Sequence, residues 1–415
     1  MDSDAGASAP LKIRIGFVVE LASRLHEYGT AAPRLEDVIN QVGARLGLVC
    51  NVLSTPTSIV MSFSDPDAED GLAEVTQVVR LPPGEVNLKR LCQVDEIADQ
   101  VIDGELDLSA GRWRLRQFAR ARSSTASRPW LVASYGISAG SIAAILHAGW
   151  AGVATAALIG LVIGAVRLLS QNRPNIDAAS EAVAALLATL IATLVAVYVT
   201  PIALRSVVIS SLIVLMPGLV LTTAVRELSS QHLISGTARM MGAIATLLKL
   251  AFGTLAATQL CALIGWVPPP GAEAPVPLWT EWLAVFAAAF AFAVLFRSPR
   301  KYVLVVVASV VFGYVCTRAG AAFVTPAFGV FFGSLVIGAA SNLFARIAQA
   351  PGALVREPGI VLLVPGSVAF RTLSFVFERD VLLGIDTAIS VVTLLVSIVA
   401  GLLFGDLLVP PRRKL

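Results

Sequence analysis

The sequence predicts an α-helical polytopic membrane protein in which about ten transmembrane helices form two inverted repeats of five, preceded by a small α+β cytoplasmic domain. The first observation behind this prediction is the composition. Of the 415 residues 56% are hydrophobic and only 14% are charged, and the mean hydropathy is +0.79, which is unusual for a soluble protein of this length. The second is a sharp change at Pro129, after which almost every segment is apolar. The third is that each half of the apolar region contains a similar apolar segment with a Pro-Gly pair in it, Pro217-Gly218 in the first and Pro365-Gly366 in the second.

The charge pattern and the absence of known motifs exclude several classes of function. The net charge of +3 comes without a concentrated basic face, so no nucleic-acid partner is predicted. The sequence contains no P-loop, GxSxG or HExxH motif, which argues against an ATP-driven pump or a common hydrolase, and no catalytic residue is assigned. Neither a metal nor a cofactor is predicted, because the cysteines and histidines lie far apart without ligand spacing. These residues are Cys50, Cys92, Cys261, Cys316, His26, His147 and His232.

Residues 1–10 are predicted to be a disordered N-terminus, and residues 11–128 a cytoplasmic α+β domain. The first segment carries acids and lacks the basic and apolar parts of a signal peptide, so it is expected to stay in the cytoplasm. In the domain, apolar residues recur at helical spacing over 17–28 and 35–46. The β-branched stretch LVCNVLSTPTSIVMSF predicts two strands joined by a turn. Further predicted elements are a strand in AEVTQVVRL and helices over 87–103 and 107–121.

The rest of the chain is divided into a first five-helix repeat over 129–268, an outer loop over 269–278, a second repeat over 279–409 and a basic cytoplasmic tail over 410–415. Most of the apolar segments have the roughly 17–25 residues that a transmembrane helix needs. The ten predicted spans are 130–148, 151–169, 179–199, 203–225, 238–266, 279–296, 301–316, 321–341, 359–377 and 386–409.

Basic residues in the short loops predict the orientation, because Lys and Arg accumulate on the cytoplasmic side. With the N-terminal domain inside, twelve basic residues of the membrane region lie on the inner side and four on the outer side. Both termini are therefore predicted to be cytoplasmic. The inner residues are Arg167, Arg173, Arg226, Arg239, Arg297, Arg300, Lys301, Arg346, Arg356, Arg412, Arg413 and Lys414, and the outer ones are Arg205, Arg318, Arg371 and Arg379.

The two Pro-Gly motifs reveal the internal repeat. Pro365 follows Pro217 by 148 positions (365 − 217), and the surrounding segments IVLMPGLVLTT and LLVPGSVAFRT are similar. The same offset moves the starts of the first, second and fifth spans to 278, 299 and 386, close to the predicted starts at 279, 301 and 386. Two copies of a five-helix unit must enter the membrane from opposite sides. Inverted repeats of this kind are common among secondary transporters.

The Pro-Gly motifs are the candidate substrate site. A proline inside a helix removes one hydrogen-bond donor and displaces a carbonyl, and in lipid the freed groups need protein or a polar cavity. We expect new helices to begin after Pro217 and Pro365, with amide ends near Gly218 and Gly366 that suit a carboxylate. The alternative is a simple proline kink in each helix.

Hydroxyl and charged side chains near these breaks complete the candidate site. The hydroxyls of Thr222, Thr223 and Ser367 could bind a polar solute, or could bond back to their own helices. Lys249 lies near the middle of its span and is either a counter-ion to a substrate carboxylate or a snorkelling side chain. No acid lies unambiguously at mid-membrane, so no proton carrier is evident. The gating or coupling candidates are Arg226, Glu227, Arg371, Glu181 and Asp386.

Four GxxxG spacings allow helix backbones to approach closely. They indicate tight packing inside the bundle, with a homo-oligomer as the alternative interpretation. They begin at Gly136, Gly160, Gly329 and Gly401.

Several short motifs resemble the threonine/serine exporter family in a matching order. The stretch LASRLHEYGTAAPRLEDVINQVGARLGL followed by STPTSIVMSF is similar to the cytoplasmic domain of that family, and MPGLVLTTAVRELSSQHLISGTARM and LLVPGS are similar to its two Pro-Gly spans. The resemblance covers about residues 11–408. The matching positions in the domain are Gly29, Arg34, Glu36, Pro56, Thr57, Ser62 and Phe63.

The resemblance implies a ten-helix inner-membrane exporter of threonine and serine that is driven by the proton motive force. It also implies that the protein is not an enzyme. Its expected partners are a small amino acid, protons and the lipid bilayer. Members of the family often have Asp where this chain has Glu227, and Lys249 is not part of the family pattern. The alternatives are an exporter of dicarboxylates such as succinate, a membrane sensor or scaffold, and a hydrolase in the N-terminal domain, although that domain has no recognisable nucleophile and base.

Overall fold

The computed structural model describes residues 9–65, 75–120, 128–170, 174–269, 274–377 and 380–411. Most of the predicted disordered N-terminus and of the basic tail lies outside the described residues, as do part of the predicted outer loop and the side chains of Arg173 and Arg379. The described chain is mainly helical, with one small sheet near its N-terminus.

Three strands form an antiparallel sheet in the order β1-β2-β3. β1 and β2 are the predicted hairpin, and their register pairs Thr55 with Ser58 across the turn. Every second side chain of β2 is buried, because successive residues of a strand point to opposite faces. The strands are β1 (Val49–Thr55), β2 (Ser58–Ser64) and β3 (Val75–Arg80).

Four helices pack against this sheet and enclose an apolar core that includes Phe17, Leu35 and Phe63, all fully buried. α1 ends before Gly29, whose φ of 84° lies in the left-handed region that favours glycine. α3 begins at Asn87, whose side chain accepts a hydrogen bond of 3.2 Å from the Arg90 amide and so caps the helix. The helices are α1 (Leu11–Glu27), α2 (Ala32–Arg45), α3 (Leu88–Ile102) and α4 (Leu108–Arg120).

Twelve further helices follow from Arg128 onwards within the described residues, and they form the apolar part of the molecule. They are α5 (Arg128–Ile145), α6 (Trp150–Ser170), α7 (Pro174–Tyr198), α8 (Leu204–Ser211), α9 (Gly218–Ser229), α10 (Leu233–Leu263), α11 (Thr280–Leu295), α12 (Val303–Phe323), α13 (Pro326–Ala348), α14 (Ala353–Ile360), α15 (Gly366–Phe377) and α16 (Val381–Leu408).

In the described part of the chain, six helices are long and apolar enough to cross a membrane, namely α6, α7, α10, α12, α13 and α16. A seventh span is formed if α8 and the segment after it are counted as one helix bent by 49°. α11 is apolar but has only 16 residues. The protein is therefore a polytopic membrane protein, and the predicted count of ten spans is not confirmed by length and composition.

Close glycine contacts hold neighbouring helices together. A Cβ atom on Gly160 of α6 would lie 2.5 Å from the Tyr135 carbonyl oxygen of α5, and one on Gly401 of α16 would lie 2.4 Å from the Phe331 oxygen of α13. Since real Cβ atoms do not approach this closely, only glycine fits at these positions. The GxxxG glycines at these positions are thus used for packing inside the bundle, as the first interpretation expects.

The helix ends fall into two groups. At the end that we call the domain end, the N-terminal domain contacts the last residues of α6, α9 and α11. At the opposite, distal end, the last residues of α7 and α10 meet through Tyr198 and Trp266, whose ring centroids are 5.9 Å apart. The start of α8 and the last turn of α15 also meet at the distal end, where Arg205 lies 5.6 Å from the ring of Phe375.

Candidate functional site

The two Pro-Gly motifs interrupt two helical segments in the same way. In each case a helix of eight residues, α8 or α14, is followed by a short irregular stretch and then by a helix of twelve residues, α9 or α15. α9 begins at Gly218 and α15 at Gly366, directly after the two prolines. The sequence prediction that new helices begin after Pro217 and Pro365 therefore agrees with the structure.

The backbone hydrogen bonds at the two breaks are also alike. The Gly218 amide donates to the carbonyl of Met216 at 2.8 Å, and the Gly366 amide donates to the carbonyl of Val364 at 2.9 Å. Each proline carbonyl then accepts the first bond of the next helix at 2.9 Å. The two breaks thus share these hydrogen bonds around their glycines, although a 3-10 helix over Ile213–Leu215 precedes the first and turns precede the second.

The two breaks lie directly against each other. A Cβ atom on Gly218 would lie 2.6 Å from Cγ1 of Val364 and 3.5 Å from the Cα of Gly366. A Cβ atom on Gly366 would lie 3.4 Å from the Cα of Gly218 and 3.3 Å from Cβ of Met216. We call this pair of glycines the Pro-Gly contact. The N-terminal ends of α9 and α15 meet there without an acidic residue in either first turn, and amides at such ends favour an anion.

Most hydroxyl groups near the contact bond to their own helices. Thr222 donates to the Gly218 carbonyl at 3.3 Å, and Thr372 donates to the Val368 carbonyl at 3.1 Å. Of the two interpretations of these hydroxyls, binding a solute or bonding back to the same helix, the second therefore holds for Thr222. Within the described residues, the hydroxyls of Thr223 and Ser367 make no hydrogen bond and are half-buried.

Two of the predicted charged residues pair with each other. Nζ of Lys249 on α10 lies 3.7 Å from a carboxylate oxygen of Glu181 on α7. The Lys249 side chain is 44% exposed and that of Glu181 is 20% exposed. The pair connects two helices of the first half of the membrane region. Arg371 on α15 and Asp386 on α16 are both exposed.

Glu227, at the end of α9, is fully buried, and its carboxylate is satisfied on both oxygens. Arg239 donates to the two oxygens at 3.1 and 3.0 Å, and the Ser235 hydroxyl donates to one of them at 2.7 Å. The third donor, which makes the fourth hydrogen bond, is the backbone amide of Ala32 in the N-terminal domain, at 3.0 Å. A buried carboxylate is stable only when it is paired in this way. Glu227 therefore connects the membrane region to the domain.

A second polar contact lies beside it. Nε2 of His232, in the turn between α9 and α10, lies 3.1 Å from a carboxylate oxygen of Glu36 in α2. The other oxygen of Glu36 accepts a hydrogen bond of 2.8 Å from the Ser54 amide. Glu36 belongs to the motif in which the sequence resembles the family, and the structure shows that its carboxylate joins the sheet of the domain to the membrane region.

The domain also contacts the second half of the chain. The amides of Leu88 and Lys89, in the first turn of α3, donate to the carbonyls of Phe296 and Arg297 at 3.0 and 3.1 Å. The Leu88 side chain is fully buried in a cluster formed with residues of α11, α12 and α14. One domain thus binds both halves of the membrane region at the domain end.

Sequence analysis missed a polar cluster at the domain end, which we call the arginine cluster. It consists of Arg226 on α9, Arg356 and Glu357 on α14, and Asp406 on α16, with Asn342 of α13 donating to Asp406 at 2.7 Å. The sequence made Arg226 a candidate for gating or coupling, whereas Arg356 was only counted among the basic residues that predict the orientation. The available signal was the Arg-Glu pair shortly before the second Pro-Gly motif, inside an otherwise apolar segment.

Among the described residues, no group of three or more His, Cys, Asp and Glu side chains is placed to hold a metal ion. The cysteines are not paired with one another. Burial raises the pKa of Cys50 to about 11 and that of Cys92 to about 12. These thiols of the domain are therefore protonated and unreactive near neutral pH.

Comparison with curated proteins finds fungal relatives. The chain is 27% identical over 375 residues to the pheromone-regulated membrane protein 10 of Zygosaccharomyces rouxii, covering 88% of this chain and 37% of that protein. The protein of the same name from Eremothecium gossypii is 26% identical, with 88% of this chain and 50% of the relative covered. The one from Saccharomyces cerevisiae is 27% identical, with 85% and 46% covered. The chain thus spans half or less of the length of these relatives.

No solved structure matches the chain at a significant level. Two family models do match it. One, described as a putative threonine/serine exporter, covers residues 16–261, and the other, described as a threonine/serine exporter, covers residues 281–408. The first ends within α10 and the second begins in α11, so both Pro-Gly breaks and the N-terminal domain are included. This polytopic membrane protein therefore belongs to the threonine/serine exporter family.

Proposed function

We propose that the protein is a secondary active transporter that exports threonine and serine across the bacterial inner membrane, coupled to the proton motive force. The observation that carries this proposal is the Pro-Gly contact, where two helix N-termini from two similar segments meet. Broken helices that present their amide ends to an anionic group are the usual substrate site of transporters built from inverted repeats. Membership of the family supports an exporter and a non-enzymatic role.

The substrate carboxylate would bind the amides in the first turns of α9 and α15, beside Gly218 and Gly366. Thr223 and Ser367 would supply hydroxyl groups to the polar side chain or amino group of the substrate, because these hydroxyls are not used by the helices. Pro217 and Pro365 would end the preceding backbone hydrogen-bond pattern. Because the Gly218 and Gly366 amides donate to Met216 and Val364, the amides that bind the carboxylate would be those of the residues that follow each glycine. Thr222 would support α9 through its own bond rather than contact the substrate.

The topology that we propose has ten membrane passes, with the domain end in the cytoplasm. Short connections join helix ends that lie alternately at the domain end and at the distal end, and each broken pair, α8 with α9 and α14 with α15, counts as one pass. The equal lengths of the two broken pairs support two repeats, over 129–268 and 279–409. The surplus of arginine at the domain end supports a cytoplasmic domain over 11–128 and cytoplasmic termini.

The N-terminal domain would act as a gate. It contacts the first repeat through Glu36 and Glu227 and the second repeat through Leu88. Alternating access requires the two repeats to move relative to each other, so a domain that is bound to both must release one of them. The polar contact at Glu227 is the gating candidate, because its charged groups can exchange protein partners for water.

Export of dicarboxylates is the alternative substrate class. The argument for it was that Lys249 could act as an additional cation for a second carboxylate. The ion pair between Lys249 and Glu181 already neutralises that charge, which favours a zwitterionic amino acid. The same pair is the proposed coupling element of the first repeat, since it combines an acid and a base within apolar helices.

The experiment is an export assay on cells preloaded with labelled dipeptides, covering threonine, serine, other small amino acids and succinate, with and without a protonophore. We expect export of threonine and serine that the protonophore abolishes. Gly218→Leu should abolish export because its side chain would overlap Val364 at the contact. Gly242→Leu is the matched control, since a Cβ atom there meets nothing within 4 Å. Unchanged export with Gly218→Leu would reject the site, and absence of export of all substrates would reject the function.

A further inference from the structure

The arginine cluster contains charged groups that the Pro-Gly contact does not use. Arg226 and Arg356 are half-buried, and the Arg356 side chain is only 17% exposed. Among the charges of the described residues that act on Arg226, that of Arg356 comes first, followed by those of Asp406 and Glu357. Two guanidinium groups at close range repel each other strongly when water is partly excluded. Such an arrangement is stable only when anionic groups lie beside it.

The hydrogen bonds of Arg356 are incomplete. Its Nε atom is buried and has no hydrogen-bond partner. The nearest carboxylate oxygen, Oε1 of Glu357, lies 3.5 Å away, which is an ion pair without a hydrogen bond. A buried donor on a charged group normally finds an acceptor. Arg356 can therefore donate to a further anionic group.

Two carboxylates give the cluster both signs of charge. Asp406 and Glu357 both interact electrostatically with Arg226. Asp406 is held in place by Asn342, whose Nδ2 atom also donates to the Val409 carbonyl at 2.7 Å. The cluster thus combines two fixed cations with two acids, and its formal charge is zero. This pattern is complementary to a molecule that carries one carboxylate and one ammonium group.

The position of the cluster relates it to the substrate path. Arg226 follows Gly218 by eight residues on α9, which corresponds to about 12 Å along the helix. It directly precedes Glu227, the residue that binds the N-terminal domain. Arg226 comes from the first broken segment and Arg356 from the second. The cluster therefore lies between the domain and the Pro-Gly contact, and both repeats contribute to it.

We propose that the arginine cluster is a recruitment site for α-amino acids with free carboxylate and ammonium groups, through which the substrate passes before it reaches the Pro-Gly contact. Arg226 and Arg356 bind the carboxylate, and Asp406 with Glu357 binds the ammonium group. A dicarboxylate is disfavoured because its second carboxylate meets these two acids. This inference rests on the proposed export function and adds a second site with a defined substrate class.

The test uses the full-length protein in liposomes and measures the concentration dependence of labelled serine transport. Arg356→Gln should raise the apparent KM for serine about tenfold or more, the usual effect of losing one charge-assisted hydrogen bond, while the maximal rate changes little. Asp406→Asn should act similarly, and it serves as a second variant if Arg356→Gln fails to insert. Arg346→Gln is the control, since Arg346 is exposed at the same end and, among the described residues, its guanidinium donates to the Pro410 carbonyl rather than to the cluster.

Competition by analogues separates binding from a structural role. Serine amide, which lacks the carboxylate, should compete about tenfold more weakly than serine in the wild type, and this difference should disappear in Arg356→Gln. Succinate should compete weakly in both. An unchanged KM, a persistent difference between serine and its amide, or strong competition by succinate would overturn the recruitment site. If Gly218→Leu still abolishes transport in that case, the proposed function stands; if the wild type does not transport serine, both proposals fail.

Discussion

At the scale of single residues, buried charged and polar groups connect the N-terminal domain to the membrane region. Glu227 accepts four hydrogen bonds from three donors, one of which is a backbone amide 195 positions earlier in the chain. The sequence made Glu227 a gating or coupling candidate, as an acid after a Pro-Gly span at a position where the family often has Asp. Nothing local in the sequence could indicate that Ala32 supplies one of its hydrogen bonds.

His26 yields a prediction about pH. Its ring is buried, and burial lowers its pKa below the usual 6.5, with the positive charge of Arg239 acting in the same direction and a backbone hydrogen bond to Pro82 opposing them. The unfolded chain therefore binds a proton more readily than the folded one. The stability that depends on neutral His26 is present above pH 6.5 and is lost as the pH falls towards the lowered value.

The measurement is the thermal unfolding temperature of the purified protein between pH 5 and 8. The wild type should lose stability below about pH 6.5, and His26→Gln should show a smaller loss over the same interval, whatever its stability at pH 8. His147→Asn is the control, because His147 is exposed in a loop at the distal end and asparagine tolerates its positive φ. If the wild type and His26→Gln lose stability equally as the pH falls, protonation of His26 is not the cause of that loss.

At the scale of elements, sequence periodicity predicted the domain helices and strands closely. It placed helices over 87–103 and 107–121, and the structure has α3 at Leu88–Ile102 and α4 at Leu108–Arg120. The ends of the membrane helices were harder to predict, because the apolar sequence continues unchanged from a helix into a break in that helix. The ninth predicted span began at 359, whereas α14 begins at Ala353. Its Arg-Glu-Pro sequence resembles a loop, but the buried contacts of Leu354 and Val355 make it helical.

The contact between α7 and α10 depends on Gly253. A Cβ atom on Gly253 would lie 2.2 Å from the Ala182 carbonyl oxygen, so Gly253→Val should force the two helices apart. We expect a loss of about 1–3 kcal/mol in stability, as for other overpacked positions, and a weakened pair between Lys249 and Glu181. Gly242→Val in the same helix is the matched control, because its Cβ atom meets nothing within 4 Å.

Thermal unfolding of both variants in the same detergent is the measurement. The two substitutions change helix propensity equally, so a difference between them reports the helix contact alone. Similar unfolding temperatures for the two variants would show that α7 and α10 are not in close contact at Gly253.

At the scale of the whole molecule, the Pro-Gly pair was predictable and the arginine cluster was not. Pro217 and Pro365 occur in similar segments, so the sequence made both breaks parts of one candidate site, and the structure brings them into contact. Arg226, Arg356 and Asp406 have no such pattern. They lie on three helices separated by up to 180 positions (406 − 226), and only the packing of the two repeats brings their charges together.

The docking of one domain onto both repeats leads to the last prediction. If the domain releases the first repeat during each transport cycle, a covalent link between Glu36 and His232 should stop export. These side chains are 3.1 Å apart, so Glu36→Cys and His232→Cys can be joined by a short bismaleimide in a variant without the four native cysteines. Export should fall in proportion to the fraction of protein that is cross-linked.

A cross-link at the distal end provides the control. Tyr198→Cys and Trp266→Cys join α7 to α10, two helices of the same repeat that meet there through their aromatic rings. Because this link connects parts that move together in a rigid repeat, it should leave export unchanged. Full export by protein that is completely linked between Glu36→Cys and His232→Cys would show that the domain remains bound to the first repeat throughout the cycle. The domain would then stabilise the domain end of the membrane region without gating it.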